Sequence, residues 1–105
     1  MERNLTADEF EEFINEKKAI ILDVRESYEY VESHLKDAKL VPSSNFWSHF
    51  DDLHLAKDEP IALYCHTGSR SMSVINALLE AGYFNVAHLE RGIIDWHGQE
   101  KELVR

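Results

Sequence analysis

The sequence predicts an α/β fold in which a parallel sheet carries helices on both faces. Two observations lead to this fold class. Segments with strand character alternate with segments of helical periodicity along the whole chain, and the strand segments are continuous apolar runs, which are typical of strands buried on both faces. The chain has 105 residues, of which 44% are hydrophobic. This is enough for one globular domain, predicted to cover residues 1–105.

The first half of the chain opens with a capping box, in which Thr6 and Glu9 satisfy backbone N–H groups at the start of a helix. Apolar residues at helical spacing follow, and they predict a helix of about ten residues. Residues 19–24 are apolar except for Asp23 and include several β-branched side chains, and they are predicted to form a buried strand. A short helix is expected from Ser27 to about Ser33.

The second half repeats the alternation. Residues 40–42 predict a brief strand ended by a proline, and Ser43-Ser44 offers the N-cap of the next helix. Further strands are predicted at 61–65 and 86–89, separated by the clearest helix, Arg70–Ala81, with Gly82 as its C′ residue. A short helix ends the pattern at 93–96. The helical side chains predicted to face the core are Tyr30, Val31, Phe46, Trp47, Phe50, Met72, Ile75, Leu78 and Leu79.

Charge and cysteine content restrict the function classes. Lys and Arg number 11 against 20 Asp and Glu, so the formal net charge is −9. This charge disfavours binding to nucleic acid or anionic membranes, and an anionic substrate would need a local positive pocket. A single cysteine, Cys65, excludes a disulfide-stapled module. Since no apolar leader or membrane-length segment is present, we expect a soluble cytoplasmic protein with a free thiol.

The candidate site is the loop Cys65–Ser71, which joins a buried strand to the N-terminus of the clearest helix. Ligands of parallel sheets bind beyond the carboxyl ends of the strands, and the only cysteine lies at that edge. Gly68 allows the loop amides to turn inward, the helix N-terminus adds partial positive charge, and Arg70 adds a guanidinium. An ordinary cysteine is only about 3% ionised at pH 7, so such surroundings suit a thiolate nucleophile.

The alternative for each of these residues is structural. A lone cysteine at a strand end is usually a small buried hydrophobe, and the simpler interpretation of His66 is a solvent-facing loop residue. Asp23 and Arg25 follow a buried strand, where an ion pair would brace the sheet edge. No metal site is expected, because His49 and His54 are five residues apart, which places them about 140° apart around a helix.

Three segments resemble the single-domain rhodaneses, a family of sulfurtransferases, and together they cover nearly the whole chain. The segment Leu22–Glu26, followed by Glu29-Tyr30, Ser33-His34-Leu35 and Ala38, resembles the first family signature. Tyr64–Ser71 resembles the active-site loop, and Leu89–Trp96 resembles the C-terminal signature. The resemblance implies a parallel sheet of about five strands with flanking helices, and a cysteine that carries a persulfide.

The chain departs from the family pattern at three places. Ser33 replaces a glycine, Lys36-Asp37 replaces Pro-Gly, and Arg91 replaces the first glycine of a pair. The first two concern a surface turn. Strand 86–89 should end at the same sheet edge as Cys65, so Arg91 is expected to border the pocket and attract an anionic donor; its alternative is an exposed residue paired with Glu90 or Asp95.

The predicted function is transfer of a sulfane sulfur, from a donor such as thiosulfate to cyanide or a thiol, through a Cys65 persulfide. The alternative is a sulfur-relay or protein-binding module that acts on a partner protein. Relatives that hydrolyse phosphate esters or reduce arsenate resemble Cys-x5-Arg, whereas Cys65 and Arg70 form Cys-x4-Arg, so that chemistry is less favoured. No cofactor is implied. The predicted roles are catalysis by Cys65 and Arg70, substrate binding by His66, Thr67, Gly68, Ser69, Ser71 and Arg91, and bracing by Asp23 and Arg25.

Overall fold

A computed structural model describes residues 2–105 and places five parallel strands in one sheet, in the order β1-β5-β4-β2-β3. The strands are β1 (Asn4–Leu5), β2 (Ile20–Asp23), β3 (Lys39–Leu40), β4 (Ile61–Tyr64) and β5 (Val86–Leu89). The helices are α1 (Ala7–Lys17), α2 (Ser27–Glu32), α3 (Phe46–Asp51), α4 (Ser69–Glu80) and α5 (Gly92–Gly98). This arrangement confirms the α/β fold class.

Two hydrophobic cores lie on opposite faces of the sheet, because successive strand residues point to opposite sides. In the central strand β4, Ala62 and Tyr64 belong to one core, whereas Ile61, Leu63 and the following Cys65 belong to the other. Helices α1 and α5 cover the first core, and α3 and α4 cover the second. Cys65 is therefore anchored in the core beneath α4.

Local sequence signals fix the start of α1 and the end of α4, the two longest helices. The capping box at the start of α1 is present, with the Glu9 amide donating to the Thr6 hydroxyl and the Thr6 amide donating to the Glu9 carboxylate. Helix α4 is terminated by Gly82, the second residue beyond its last residue, which has a φ of +94°. The Gly82 amide donates to the Leu79 carbonyl and the Tyr83 amide donates to the Leu78 carbonyl, which together form a Schellman motif.

The structure corrects several sequence-based expectations. Val31, Trp47 and Met72 are exposed, at 67%, 38% and 37%, although all three were expected in the core. Each is on a helix that also offers neighbouring apolar residues to the sheet, and only one face of the helix can be buried. Ser43-Ser44 is not an N-cap, because these residues lie within a 3₁₀ turn, Ser43–Asn45, ahead of α3.

Strand β1 was absent from the predicted pattern. It has only two residues, and its pairing with β5 joins Asn4 to His88 and Leu5 to Leu89 across more than eighty residues of chain. Such a short edge strand carries no periodicity of its own.

Within residues 2–105, every helix is too short or too polar to cross a bilayer.

Candidate active site

The Cys65 side chain is fully buried at the carboxyl end of β4, directly beneath the N-terminus of α4. Two backbone N–H groups donate to its Sγ, from Gly68 at 3.1 Å and from Ser71 at 3.3 Å. The Ser71 hydroxyl lies 3.5 Å from the same sulfur. N–H donors and the positive end of a helix both interact favourably with negative charge, so the geometry provides partners for an anionic sulfur such as a persulfide.

Two glycines hold the Cys65 loop against the turn that follows β5. Gly68 and Gly92 have φ values of +107° and +73°, a region that L side chains rarely adopt. A Cβ at Gly68 would lie 2.0 Å from the Glu90 carbonyl oxygen, and a Cβ at Gly92 would lie 2.0 Å from the His66 carbonyl oxygen. The amide of Ile93 donates to the Cys65 carbonyl at 2.9 Å. Close backbone contact therefore fixes the loop that surrounds Sγ.

Arg70 is paired with a carboxylate. Its guanidinium donates to both carboxylate oxygens of Glu29, at 2.8 and 2.9 Å, in a bidentate ion pair. The hydrogen bond from Arg70 is the main reason why the pKa of Glu29 falls to about 2. The same hydrogen bond raises the pKa of Arg70, and the charge of Cys65 contributes in the same direction. Part of the Arg70 charge is thus compensated, and its role toward an anionic donor stays a prediction.

A buried polar chain leads away from Cys65 on the side of β5. The Ser71 hydroxyl lies 2.7 Å from Nδ1 of His88, and Nε2 of His88 lies 2.8 Å from Oδ1 of Asn4. His88 is 1% exposed, and burial lowers its pKa below the ordinary 6.5. Neither His88 nor Asn4 was identified from the sequence, because they come from β5 and β1 and join Cys65 only in the folded sheet.

Asp23 and Arg25 form a buried ion pair at the end of β2, with 2.8 Å between Arg25 Nη2 and Asp23 Oδ2. The Tyr64 hydroxyl also donates to Asp23, at 2.6 Å, and accepts the Leu35 amide at 3.1 Å. Burial and the Asp23 charge raise the pKa of Tyr64 far above 10. These bonds tie β2 to β4 next to Cys65 and hold the sheet edge in place.

The remaining predicted residues are distributed around the loop. His66, Thr67 and Ser69 are exposed, and His66 lines an open groove together with Tyr28 and Ile94. Arg91 is exposed and lines a different groove, between α1 and α5, with Asp8, Glu90 and Asp95 among its neighbours. The structure thus groups Gly68, Arg70 and Ser71 with Cys65, and it places Arg91 apart from the His66 groove. A role for Arg91 in binding stays a prediction.

Comparison with known proteins shows the family. The rhodanese-like domain model matches residues 6–99, and the chain belongs to this family. The chain is 38% identical over 96 residues to a tRNA uridine(34) hydroxylase of Hamiltonella defensa, a match that covers 88% of this chain and 27% of that protein. The chain therefore spans about a quarter of the length of this relative.

Solved structures support the same family. A rhodanese-related protein of Thermoplasma volcanium is similar with a TM-score of 0.84 and 26% identity, covering 97% of each chain. A thiosulfate sulfurtransferase of Pseudomonas aeruginosa gives a TM-score of 0.84 and 25% identity, covering 99% of this chain and 20% of that one. The architecture is thus that of a rhodanese-like domain.

Proposed function

We propose that this domain transfers a sulfane sulfur through a persulfide on Cys65. The observation that carries the proposal is the environment of Sγ, which accepts two backbone N–H groups beneath a helix N-terminus. Membership of the rhodanese-like family and the similarity to a thiosulfate sulfurtransferase agree with this chemistry. The reducing cytoplasm is the compartment that would keep Cys65 available as a thiol.

The reaction has two displacement steps on sulfur. The Cys65 thiolate attacks the outer sulfur of thiosulfate, the sulfur–sulfur bond of the donor breaks, and sulfite leaves with the electron pair. A nucleophilic acceptor, such as cyanide or a thiolate, then attacks the outer sulfur of the Cys65 persulfide. This second attack releases the product and regenerates the Cys65 thiolate. The Gly68 and Ser71 amides donate to Cys65 Sγ, which carries negative charge when it attacks in the first step and when it leaves in the second.

Arg70 is proposed to hold the anionic donor, although its guanidinium also binds Glu29. Its side chain remains 34% exposed, whereas that of Glu29 is 17% exposed, so the ion pair leaves part of the Arg70 side chain accessible. The backbone N–H groups of Thr67 and Ser69 have no acceptor within residues 2–105 and supply further donors. Six residues from Cys65 to Arg70 enclose a smaller space than a Cys-x5-Arg loop, which suits one transferred sulfur atom.

A second candidate function is a sulfur relay within a larger enzyme or toward a partner protein. The curated relative, of which this chain spans about a quarter, is named as a tRNA uridine(34) hydroxylase. A domain of that kind would receive or deliver sulfur within a tRNA-modifying system. The net charge of −9 gives the domain itself little attraction for RNA, so any RNA contact would come from another part of such a system.

Steady-state turnover separates the two candidates. Purified wild-type protein is incubated with thiosulfate and cyanide, and thiocyanate is measured against the Cys65→Ser variant as the matched control. Multiple turnovers by the wild type alone support an autonomous sulfurtransferase. Loading of one sulfur per chain without turnover supports a relay, and equal activity of the two proteins would rule out Cys65 as the carrier.

A further inference from the structure

A continuous hydrogen-bonded chain connects the buried thiol to the protein surface. It runs from Cys65 Sγ to the Ser71 hydroxyl at 3.5 Å, from there to His88 Nδ1 at 2.7 Å, and from His88 Nε2 to Asn4 Oδ1 at 2.8 Å. Cys65, Ser71 and His88 are buried, whereas Asn4 is exposed on the edge strand β1. The chain therefore begins at the reactive sulfur and ends at solvent.

The acceptor at the outer end fixes the direction of every hydrogen bond in the chain. Oδ1 of Asn4 is a carbonyl oxygen and only accepts, so Nε2 of His88 carries a proton. In a neutral imidazole the other nitrogen, Nδ1, then has a free lone pair, and the Ser71 hydroxyl donates to it. The Gly68 carbonyl, at 3.2 Å, is the more distant competitor for the hydroxyl proton. The lone pairs of Ser71 Oγ are left to accept the Cys65 thiol proton.

The geometry points to Ser71 and His88 as a path that accepts the Cys65 proton while the sulfur attacks an electrophile. The Sγ–H bond breaks and its electron pair remains on sulfur, while the proton binds Ser71 Oγ. The hydroxyl proton of Ser71 passes in the same motion to Nδ1 of His88. His88 acts through Ser71 and is a positioning residue for the sulfur chemistry, so this role deepens the proposed function and rests on it.

The path returns to its starting state by releasing a proton at the surface. The imidazolium formed on His88 loses its Nε2 proton to water when the exposed Asn4 side chain moves aside, and the ring is neutral again. Burial lowers the pKa of His88, which favours this release. The charged groups near the ring are Glu90, beyond the end of β5, which opposes the effect of burial, and Arg3, just before β1, whose guanidinium binds the Val86 carbonyl. The α4 side contributes only the uncharged Ser71 hydroxyl.

Alkylation of Cys65 by iodoacetamide tests the path without requiring any sulfur donor. The second-order rate constant is measured across pH for the wild type and for His88→Asn. The asparagine carbonyl keeps an acceptor near the position of Nδ1 but cannot take up a proton. We expect the rate of the variant to fall about fivefold or more at one pH unit below the midpoint of the wild-type profile. On the alkaline plateau, where the thiolate is already formed, the two rates should agree within about twofold.

Two further variants complete the test. Ser71→Ala removes the bridging hydroxyl, and it should show the same loss on the acid side, with little additional loss in the double variant because both residues act in one path. His49→Gln, which changes an exposed histidine of α3, is the matched control and should follow the wild type throughout. If either path variant does not fold, the other variant carries the comparison.

The outcomes are distinct. A rate loss confined to the acid side supports the path. An equal loss at every pH in both path variants would show a purely structural role, and unchanged profiles would show that Cys65 loses its proton directly to solvent; either result overturns the inference. The persulfide-forming reaction itself is tested separately on the wild-type protein, so a failure of the sulfur-transfer proposal is distinguishable from a failure of the path.

Discussion

Both Nη atoms of Arg70 bind the carboxylate of Glu29, at 2.8 and 2.9 Å, across 41 residues of chain. The pair joins the N-terminus of α4 to α2 beside the cysteine loop. It means that the guanidinium next to Cys65 is already held in position before any donor binds. It also means that the positive charge offered to an anion is smaller than the sequence alone suggests.

Replacing Arg70 by alanine should impair sulfur transfer strongly. The variant loses a charge-assisted contact to the donor, and it leaves the Glu29 carboxylate unpaired near the site, where it repels an anion. We expect kcat/KM for thiosulfate to fall about thirtyfold, which corresponds to about 2 kcal/mol. The double variant with Glu29→Gln should recover part of that loss. A double variant as impaired as Arg70→Ala alone would show that the unpaired carboxylate has no influence.

The Glu29–Arg70 pair should make stability depend on acidic pH. The pKa of Glu29 lies at about 2 against an ordinary value of 4.5, so its stabilisation is complete above about pH 4.5 and is lost as pH falls toward 2. Since the Arg70 side chain is a third exposed, we expect a contribution on the order of 1–2 kcal/mol.

Chemical denaturation at several pH values measures this contribution. Between pH 5 and 2 the free energy of unfolding should fall more for the wild type than for Glu29→Gln, by about 1–2 kcal/mol. Glu32→Gln, on the same helix but exposed, is the control and should follow the wild type. Identical pH dependence of the wild type and Glu29→Gln would contradict the assignment.

Gly92 should be irreplaceable by alanine. A Cβ there would lie 2.0 Å from the His66 carbonyl oxygen, and the φ of +73° adds strain, so the cysteine loop must shift. We expect Gly92→Ala to lower the free energy of unfolding by more than about 3 kcal/mol. Gly98→Ala, in the same helix with nothing within 4 Å of the added Cβ, should change it by less than about 1 kcal/mol. Similar effects of the two substitutions would refute the close-contact explanation.

Features encoded within a few residues could be predicted from the sequence, and features that join distant segments could not. The capping box at Thr6 and the Gly82 helix end depend on local hydrogen bonds, and both are present. The central strands follow from their apolar runs. In contrast, the Ser71–His88 contact joins residues 17 apart in sequence, and β1 forms only because β5 offers it an edge. No local pattern marks such partners.

The same distinction holds in the site. Cys65 and Gly68 were identified because a cysteine, a glycine and a helix start within one short loop have an immediate physical meaning. Glu29 belongs to the segment that resembles the family signature, but its binding to Arg70 depends on how α2 packs beside α4. Arg91 is the opposite case. Its position after β5 was predicted correctly, but its side chain lines a groove separate from the one that His66 lines.

Mass spectrometry of intact protein after incubation with thiosulfate tests the central claim most directly. Sulfur transfer through Cys65 predicts a gain in mass of one sulfur atom on the wild type, located on the peptide containing Cys65 and removed by cyanide or by a reducing thiol. Cys65→Ser should be folded and should gain no mass, because its hydroxyl cannot form a persulfide. A wild-type protein that gains no sulfur from thiosulfate or from a persulfide donor, or a Cys65→Ser variant that gains it equally, would contradict the claim.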